Sequence, residues 1–355
     1  MKGFMKKGAL VLCGLLLSIA VIGQIFPQAD SEANAPVVAE KVLVPGGQSV
    51  GVKMDVRGVL VVGLEEIESD DGEKINPGLL GGLQIGDTIL EIDGKEVYRA
   101  DEVQSIVNKI KGVVKLKVKR NNEIISVNIN PVVSKTDGLY KLGIWVKDKT
   151  AGIGTLTYYD PSNSTFGALG HGIVDAETSS ILPVESGLLL ESQVQEVKEG
   201  KNGKPGEIRG IFYHASDPLG SLERNSNFGV FGVAYHPIEN PVYSKPIAVG
   251  TKEQVEKGKA YILSTLSNNE IRKFEIEIEK VEKQTSQADK SMVIKVTDEE
   301  LLEESGGIVQ GMSGSPIIQN DRIVGAVTHV FVNDPQRGYG IFIEWMLEES
   351  DSVEQ

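Results

Sequence analysis

Between Lys141 and Glu349 the apolar residues come in short runs broken by Gly and Pro, and this pattern restricts the chain more than any other feature. The runs are Leu142–Val146, Gly152–Tyr158, Ile208–Tyr213, Phe228–Tyr235, Lys273–Lys280, Met292–Val296, Ile317–Ile318 and Ile323–Val330. Only Asp298–Glu304 and Ile343–Glu349 read as helical. Many short strands separated by turn signals predict an all-β barrel or sandwich. The 40 glycines suit such a turn-rich region.

The stretch before it, from Val42 to about Val133, has a different character. Val59-Leu60-Val61-Val62 reads as a buried strand, and Asp93-Gly94 as a tight turn. Asp101 can cap a helix in which Val103, Ile106, Val107 and Ile110 recur at helical spacing. Val114, Leu116 and Val118 alternate with lysines, and Ile125, Val127 and Ile129 alternate after Asn121-Asn122, which predicts an antiparallel hairpin. This is a small α+β unit. It resembles a PDZ domain, on Gly82-Leu83-Gln84-Ile85-Gly86-Asp87-Thr88-Ile89-Leu90 running to Gly94 and on the helix that follows. The resemblance implies that Ser49-Val50-Gly51-Val52 forms a peptide-binding loop whose backbone N–H groups hold a terminal carboxylate.

The N-terminus reads as an export segment. Lys2, Lys6 and Lys7 precede an apolar stretch from Ala9 to Phe26. That stretch is about long enough to span a bilayer, for which roughly 17–25 residues are needed, so residues 1–27 are expected to be either a signal peptide or a membrane anchor. Ala33-Asn34-Ala35 has the form of a cleavage site, although Pro36 disfavours cleavage there. Residues 28–41 are small and polar, as a linker is. The expected organisation is therefore leader 1–27, linker 28–41, PDZ domain 42–135 and a β-rich domain 136–349. The lone cysteine, Cys13, lies in the leader, so the exported part has no disulfide, no thiolate metal ligand and no thiol nucleophile. No metal or cofactor is expected. A net charge of −14 leaves no basic surface for phosphates, which excludes nucleic-acid binding.

The sharpest chemical feature is Gly311-Met312-Ser313-Gly314-Ser315-Pro316, directly before the strand Ile317-Ile318. It is similar to the GxSGxP motif of chymotrypsin-like peptidases. A nucleophilic serine must protrude on a tight turn with small neighbours. The N–H groups of Gly311 and Ser313 can converge there as an oxyanion hole, and a glycine at 311 permits the dihedral this needs. Ser315 is the rival nucleophile but sits wrongly in the motif. Met312 stands where digestive enzymes carry an acid that pairs with a new N-terminal amine, so activation by that route is not expected. A serine also needs a base. Of His171, His214, His236 and His329, the first stands out because glycines flank it; His329 ends the apolar run Val324–Val327 and reads as packed. Asp175, Asp217, Asp289 and Asp298 are all candidates to orient the base, with Asp298 also fitting a helix cap.

The whole order, PDZ then catalytic domain, resembles the stage IV sporulation protein B peptidases of endospore-forming Firmicutes. The carriers are Pro45–Val52, Leu142–Val146, Ala151–Thr157, Ala168–Ile173, Ile308–Gln319 and Gly325–Pro335. The resemblance implies a mainly β protein, with an α+β PDZ domain followed by a chymotrypsin-like β-barrel type peptidase domain. It implies a serine endopeptidase with His171 as base, Ser313 as nucleophile and Asp298, fifteen residues before the serine, as orienting acid. It also implies export into the forespore intermembrane space and association with the membrane through the N-terminus. The implied partners are protein substrates, namely the chain itself and the extracytoplasmic part of a membrane-bound regulator whose cleavage triggers the late mother-cell sigma factor. Two alternatives compete. One is a general envelope quality-control PDZ protease, a class that usually places its PDZ domain last. The other is a non-enzymatic PDZ adaptor.

Overall fold

The structure, a computed structural model, describes residues 40–353 other than 122, 176–178 and 213–216. The leader, its Ala33-Asn34-Ala35 motif, most of the linker and His214 lie outside the described residues. Among the described residues no helix is long and apolar enough to cross a membrane.

A short strand, β1 (Val42–Pro45), and a long one, β2 (Ser49–Leu64), open the fold. The α+β unit then follows as α1 (Pro77–Leu80), β3 (Thr88–Ile92), α2 (Ala100–Ile110), β4 (Val114–Arg120) and β5 (Glu123–Ile129). Its antiparallel sheet runs β5–β4–β3 and joins the second half of β2 through Val59↔Ile89 and Leu60↔Thr88. The helix buries Val103, Ile106 and Val107 against Val59, Val61, Ile89, Leu116 and Val118, as the spacing predicts. The Gly86-Asp87 turn has an electrostatic lock. Asp87 accepts the Gln84 N–H at 2.9 Å, and both its oxygens take the Arg120 guanidinium at 2.6 Å. Arg120 also donates to the Gly82 carbonyl at 2.7 Å, so one arginine ties the turn to the last rung of β4.

The β-rich region forms two closed antiparallel barrels. The first uses β2 with β6 (Ile144–Asp160), β7 (Thr165–Ala168), β8 (Val184–Lys198), β9 (Gly220–Ser226) and β10 (Gly229–Ala234). Pairings run β2–β6–β7–β10–β9–β8 and back to β2, which closes the ring. Val50, Val52, Met54, Leu156, Phe166, Leu189 and Val230 fill it. The second barrel follows β11 (Ile247–Val249) and uses β12 (Gly258–Thr265), β13 (Ile271–Val281) and β14 (Met292–Val296), then α3 (Glu299–Ser305) and the strands β15 (Pro316–Gln319), β16 (Arg322–Phe331) and β17 (Asp334–Phe342). Its ring is β15–β12–β13–β14–β17–β16–β15. Ile262, Phe274, Ile276, Met292, Ile317, Val327 and Ile341 fill it, and α4 (Ile343–Ser350) buries Trp345 and Met346 in the same core. Strand β1 links the two, pairing with β6 through Val44↔Tyr159 and with β11 through Val42↔Ala248. The mainly β fold and the β-barrel peptidase architecture expected from the sequence are both present.

Two expectations need correction. Residues 42–55 do not belong to the PDZ portion, because β1 and the first half of β2 are strands of the barrel region. Ser49–Val52 is also no carboxylate-binding loop. On one side it pairs with Gly152–Thr155 and on the other with Leu189–Glu191, so its backbone groups are spent on the sheet. Val50 and Val52 are buried in the barrel core. The glycine of this segment answers to packing: a Cβ on Gly51 would come within 2.7 Å of the Phe212 ring. Strands β2 and β6 form one ribbon that starts in the PDZ portion, where Ile144 faces Leu64, and ends in the barrel, where Thr155 faces Ser49.

The Asp87–Arg120 lock yields a stability test. Replacing Asp87 by Ala leaves a half-buried guanidinium and the Gln84 N–H without their acceptor. Urea unfolding of Asp87→Ala should show a loss of about 2–4 kcal/mol, whereas Glu123→Ala at the exposed hairpin end should be nearly neutral.

Candidate active site

Ser313 and His171 line one cleft, of about 1080 Å³, between the two barrels. Its walls are largely apolar, with Ile153, Val174, Phe228, Ile308, Val309 and Val330 among them, and Asp289 and His329 at one part of the rim.

The turn around Ser313 has no regular structure, yet every one of its peptide planes is pinned. The Gln310 carbonyl accepts from Ile208 N (2.7 Å), Gly311 from Thr155 Oγ1 (2.8 Å) and Met312 from Ser315 N (2.9 Å). The Ser313 carbonyl accepts from Thr155 N (2.9 Å) and Gly314 from Thr157 Oγ1 (2.8 Å). A peptide N–H points opposite its own carbonyl. Pinning the Gln310 and Met312 carbonyls therefore aims the N–H groups of Gly311 and Ser313 away from these acceptors. Among the described residues neither N–H has a protein acceptor. Gly311 has φ 101°, a conformation that favours glycine, as expected from its position. The Met312 side chain is fully buried in the second barrel core and anchors the turn there. Ser315 is also fully buried, and its hydroxyl has no partner, so it cannot reach a substrate. Ser313 Oγ donates to the Thr328 carbonyl at 2.7 Å.

His171 follows β7 on a loop that passes twice through the left-handed region, at Leu169 (φ 68°) and Gly170 (φ 66°). Its Nδ1 lies 2.8 Å from the Gly172 carbonyl. A carbonyl can only accept, so the proton sits on Nδ1 and the Nε2 lone pair is free, the tautomer a general base needs. Burial pushes the imidazole pKa below its ordinary value, opposed only by that carbonyl. His171 is therefore neutral at pH 7. The His329 ring lies beside it, centroids 4.7 Å apart and 34° inclined. Although His329 is partly open to solvent at the cleft mouth, the cleft walls push its pKa down to about 4; His171 adds to the effect and Asp289 opposes it. The sequence placed His329 in the core. Strand alternation instead buries Thr328 and turns His329 outward into the cleft.

The carboxylates fall in four different places. Asp298 does not line the cleft. It caps α3, with Oδ1 accepting Leu301 N and Oδ2 accepting Glu275 N, each at 3.1 Å. His171 Nδ1 is taken by the Gly172 carbonyl, and among the described residues no hydrogen bond or ion pair joins its ring to a carboxylate. The expected His171–Asp298 pair is thus not formed, and the capping role open to Asp298 from its sequence context is the one it takes. Asp175 is buried with Lys147 Nζ 3.9 Å away. Asp217 lines a second cavity that also holds His236. Asp289 reaches the cleft, beside His329.

A PDZ portion whose sheet continues into two antiparallel barrels, with a serine on a pinned turn and a neutral histidine in one cleft, defines a PDZ serine peptidase. Residues 138–347 match the model of the SpoIVB peptidase S55 family, and residues 77–120 match a PDZ domain model. The chain belongs to the SpoIVB peptidase S55 family. Among solved structures, it is similar to the Rv3671c protease of M. tuberculosis in its active form. Identity is 11%, TM-score 0.35, with 58% of this chain and 76% of that one covered. The HtrA-type protease AlgW with a decapeptide gives 10% identity and a TM-score of 0.33, covering 58% of this chain and 54% of that one. The PDZ domain of an SdrC-like protein from Listeria monocytogenes gives 22% identity and a TM-score of 0.20, covering 25% of this chain and 87% of that one. No curated protein matches the chain in sequence.

The geometry distinguishes the two cleft histidines. Phosphonylation of Ser313 by a fluorophosphonate should fall by about 10³-fold or more in His171→Ala, and by less than about 10-fold in His329→Ala. Protonated His171 cannot accept a proton, so activity is lost as pH falls. Because burial lowers this pKa, the labelling rate should hold level from pH 8 to about 6.5 and decline only below it. A midpoint above 7 would contradict a buried, carbonyl-anchored imidazole.

Proposed function

We propose that this chain is an exported endopeptidase whose Ser313 attacks the scissile carbonyl of protein substrates, with His171 as the general base. The observation that carries the reading is the shared cleft: a serine on a fully pinned turn, unengaged N–H groups at Gly311 and Ser313, and a neutral histidine of the correct tautomer.

The steps follow from the atoms present. Ser313 Oγ turns from the Thr328 carbonyl toward His171 Nε2, gives up its proton there and bonds to the substrate carbonyl carbon. The oxyanion that forms is held by the Gly311 and Ser313 N–H groups. Collapse breaks the C–N bond, and His171 returns the proton to the leaving amine. Water then attacks the acyl-enzyme, with its proton taken by His171 and passed back to Ser313 Oγ as the acid leaves. The Gly172 carbonyl orients the imidazole, the part the family resemblance assigned to Asp298.

The family supports a finer setting. We place the chain in the forespore intermembrane space, reached through its N-terminal segment, where it processes itself and then cleaves the extracytoplasmic part of a membrane-bound regulator during sporulation. The PDZ portion brings protein segments to the cleft.

Incubating the exported chain and following intact mass and fluorophosphonate labelling tests this reading. Wild type should shorten and label; Ser313→Ala should do neither, while Ser315→Ala keeps measurable activity. Asp298→Asn retains an acceptor for Leu301 N and removes the charge. It should label within about 10-fold of wild type, against the roughly 10⁴-fold loss expected of a triad acid. A folded wild-type chain that neither shortens nor labels would favour the adaptor reading.

A further inference from the structure

Thr155 lies outside the lining of the cleft and is almost wholly buried, yet it touches both halves of the site. Its N–H donates to the Ser313 carbonyl at 2.9 Å, and its hydroxyl donates to the Gly311 carbonyl at 2.8 Å. Its own carbonyl accepts the N–H of Leu169, two residues before His171, at 3.2 Å. One residue of the first barrel thus holds the nucleophile turn with two bonds and the base-bearing loop with a third. The strand behind it is itself fixed. Gly46 N and Gly47 N donate to the Thr157 and Leu156 carbonyls at 2.8 Å, and Leu156 N donates to the Gln48 carbonyl at 3.0 Å.

We infer that Thr155 is a positioning residue for the peptidase reaction: it holds the Gly311–Met312 and Ser313–Gly314 peptide planes, which adjoin the two planes that carry the Gly311 and Ser313 N–H groups, and so keeps those donors converging on the substrate oxygen. The inference rests on the reading of Ser313 as nucleophile. The hydroxyl has a specific task. Of the five pinned carbonyls, those of Gly311 and Gly314 belong to the residues with the freest backbone, and the bond to the one at the oxyanion donor Gly311 comes from Thr155 Oγ1. Without that bond the plane between Gly311 and Met312 is held at its N–H end alone, by Met312 N on the Val309 carbonyl at 3.1 Å, and the neighbouring planes that carry the oxyanion donors lose their common aim. Misplacement by about 1 Å is enough to cost on the order of 10²-fold in rate. Thr157 extends the clamp from the same face of the strand, with its hydroxyl on the Gly314 carbonyl at 2.8 Å.

Thr155→Val keeps the shape and removes only the hydroxyl; Thr155→Ser keeps the hydroxyl. With the full-length chain and a fluorophosphonate probe, the maximal inactivation rate and the probe's half-saturation concentration are measured separately, beside the melting temperature. The expected result is a fall of about 10–100-fold in the maximal rate for Thr155→Val. Half-saturation should be unchanged, the chain folded, and Thr155→Ser within about 3-fold of wild type. A Thr155→Val chain with wild-type rate overturns the clamp. So does a loss that Thr155→Ser shares, or one that appears only together with a collapsed melting transition. Failure of wild type itself to label at Ser313 overturns the peptidase reading, and the clamp with it.

Discussion

The turn around Ser313 cannot hold its own shape, and the active site depends on the hydrogen bonds brought to it from outside. A tight turn of small residues exposes a serine well but has few internal contacts and much backbone freedom. Here the missing order comes from three sources. The Ile208 N–H arrives from the strand Glu207–Phe212, the Thr155 and Thr157 hydroxyls arrive from β6, and Met312 plugs the second barrel core. Closed barrels suit this task because their strands have no free edges and little latitude to slide. Electrostatic stabilisation of an oxyanion works only if the donors are already in place when charge develops. The two barrels can be seen as the machinery that meets this condition at their seam.

The same strand gives the PDZ portion a mechanical relation to the site. Strand β6 begins opposite Leu64 of β2, in the sheet that packs against α2, and reaches the Ser313 turn at Thr155. Between these points Thr150, Ala151, Gly152 and Ile153 line the cleft. The PDZ portion therefore shares its sheet with the catalytic barrel and is not a bead on a linker. This sharing also explains why the sequence misplaced Ser49–Val52. A short alternation of small and apolar residues fits a binding loop and a barrel strand equally well. Only the partners, Gly152–Thr155 and Leu189–Glu191, decide between them, and both are distant in sequence.

Features set by local chemistry were legible in the chain. The GD turn with its helix, the hairpin of β4 and β5, the tight turn at Ser313 and the glycine-flanked loop of His171 all depend on a few adjacent residues. Features set by long-range pairing were not. Asp298 illustrates the limit. Its neighbours Thr297 and Glu299-Glu300 suit a helix cap, and the cap is what forms, with the Glu275 N–H on β13 taking the second oxygen. His329 shows the opposite error. The apolar run before it reads as core, but the alternation of β16 buries Thr328 and leaves the next side chain to the cleft. Thr155 lies in the Ala151–Thr157 stretch that carries the family resemblance, but nothing there marks its role, which lies in the carbonyls that face it.

In the proposed mechanism, a carbonyl in place of a carboxylate behind His171 changes the energetics in a definite way. An acid paired with imidazole does two things: it fixes the tautomer, and its charge stabilises the imidazolium that forms during attack. The Gly172 carbonyl does the first, since it can only accept a hydrogen bond. It does the second weakly, because a dipole interacts less strongly with a cation than a full charge does. The lowered pKa of His171 has the same origin: burial disfavours the cation, and only a neutral acceptor opposes it. A base of this kind is unprotonated across the neutral range but takes up its proton at greater cost. More of the barrier must then be removed by the oxyanion donors, whose alignment depends on the bonds that hold the Ser313 turn. The weakness of the base and the rigidity of the turn are complementary, so changes at Thr155 bear more heavily on this site than they would on one with a buried carboxylate behind its histidine.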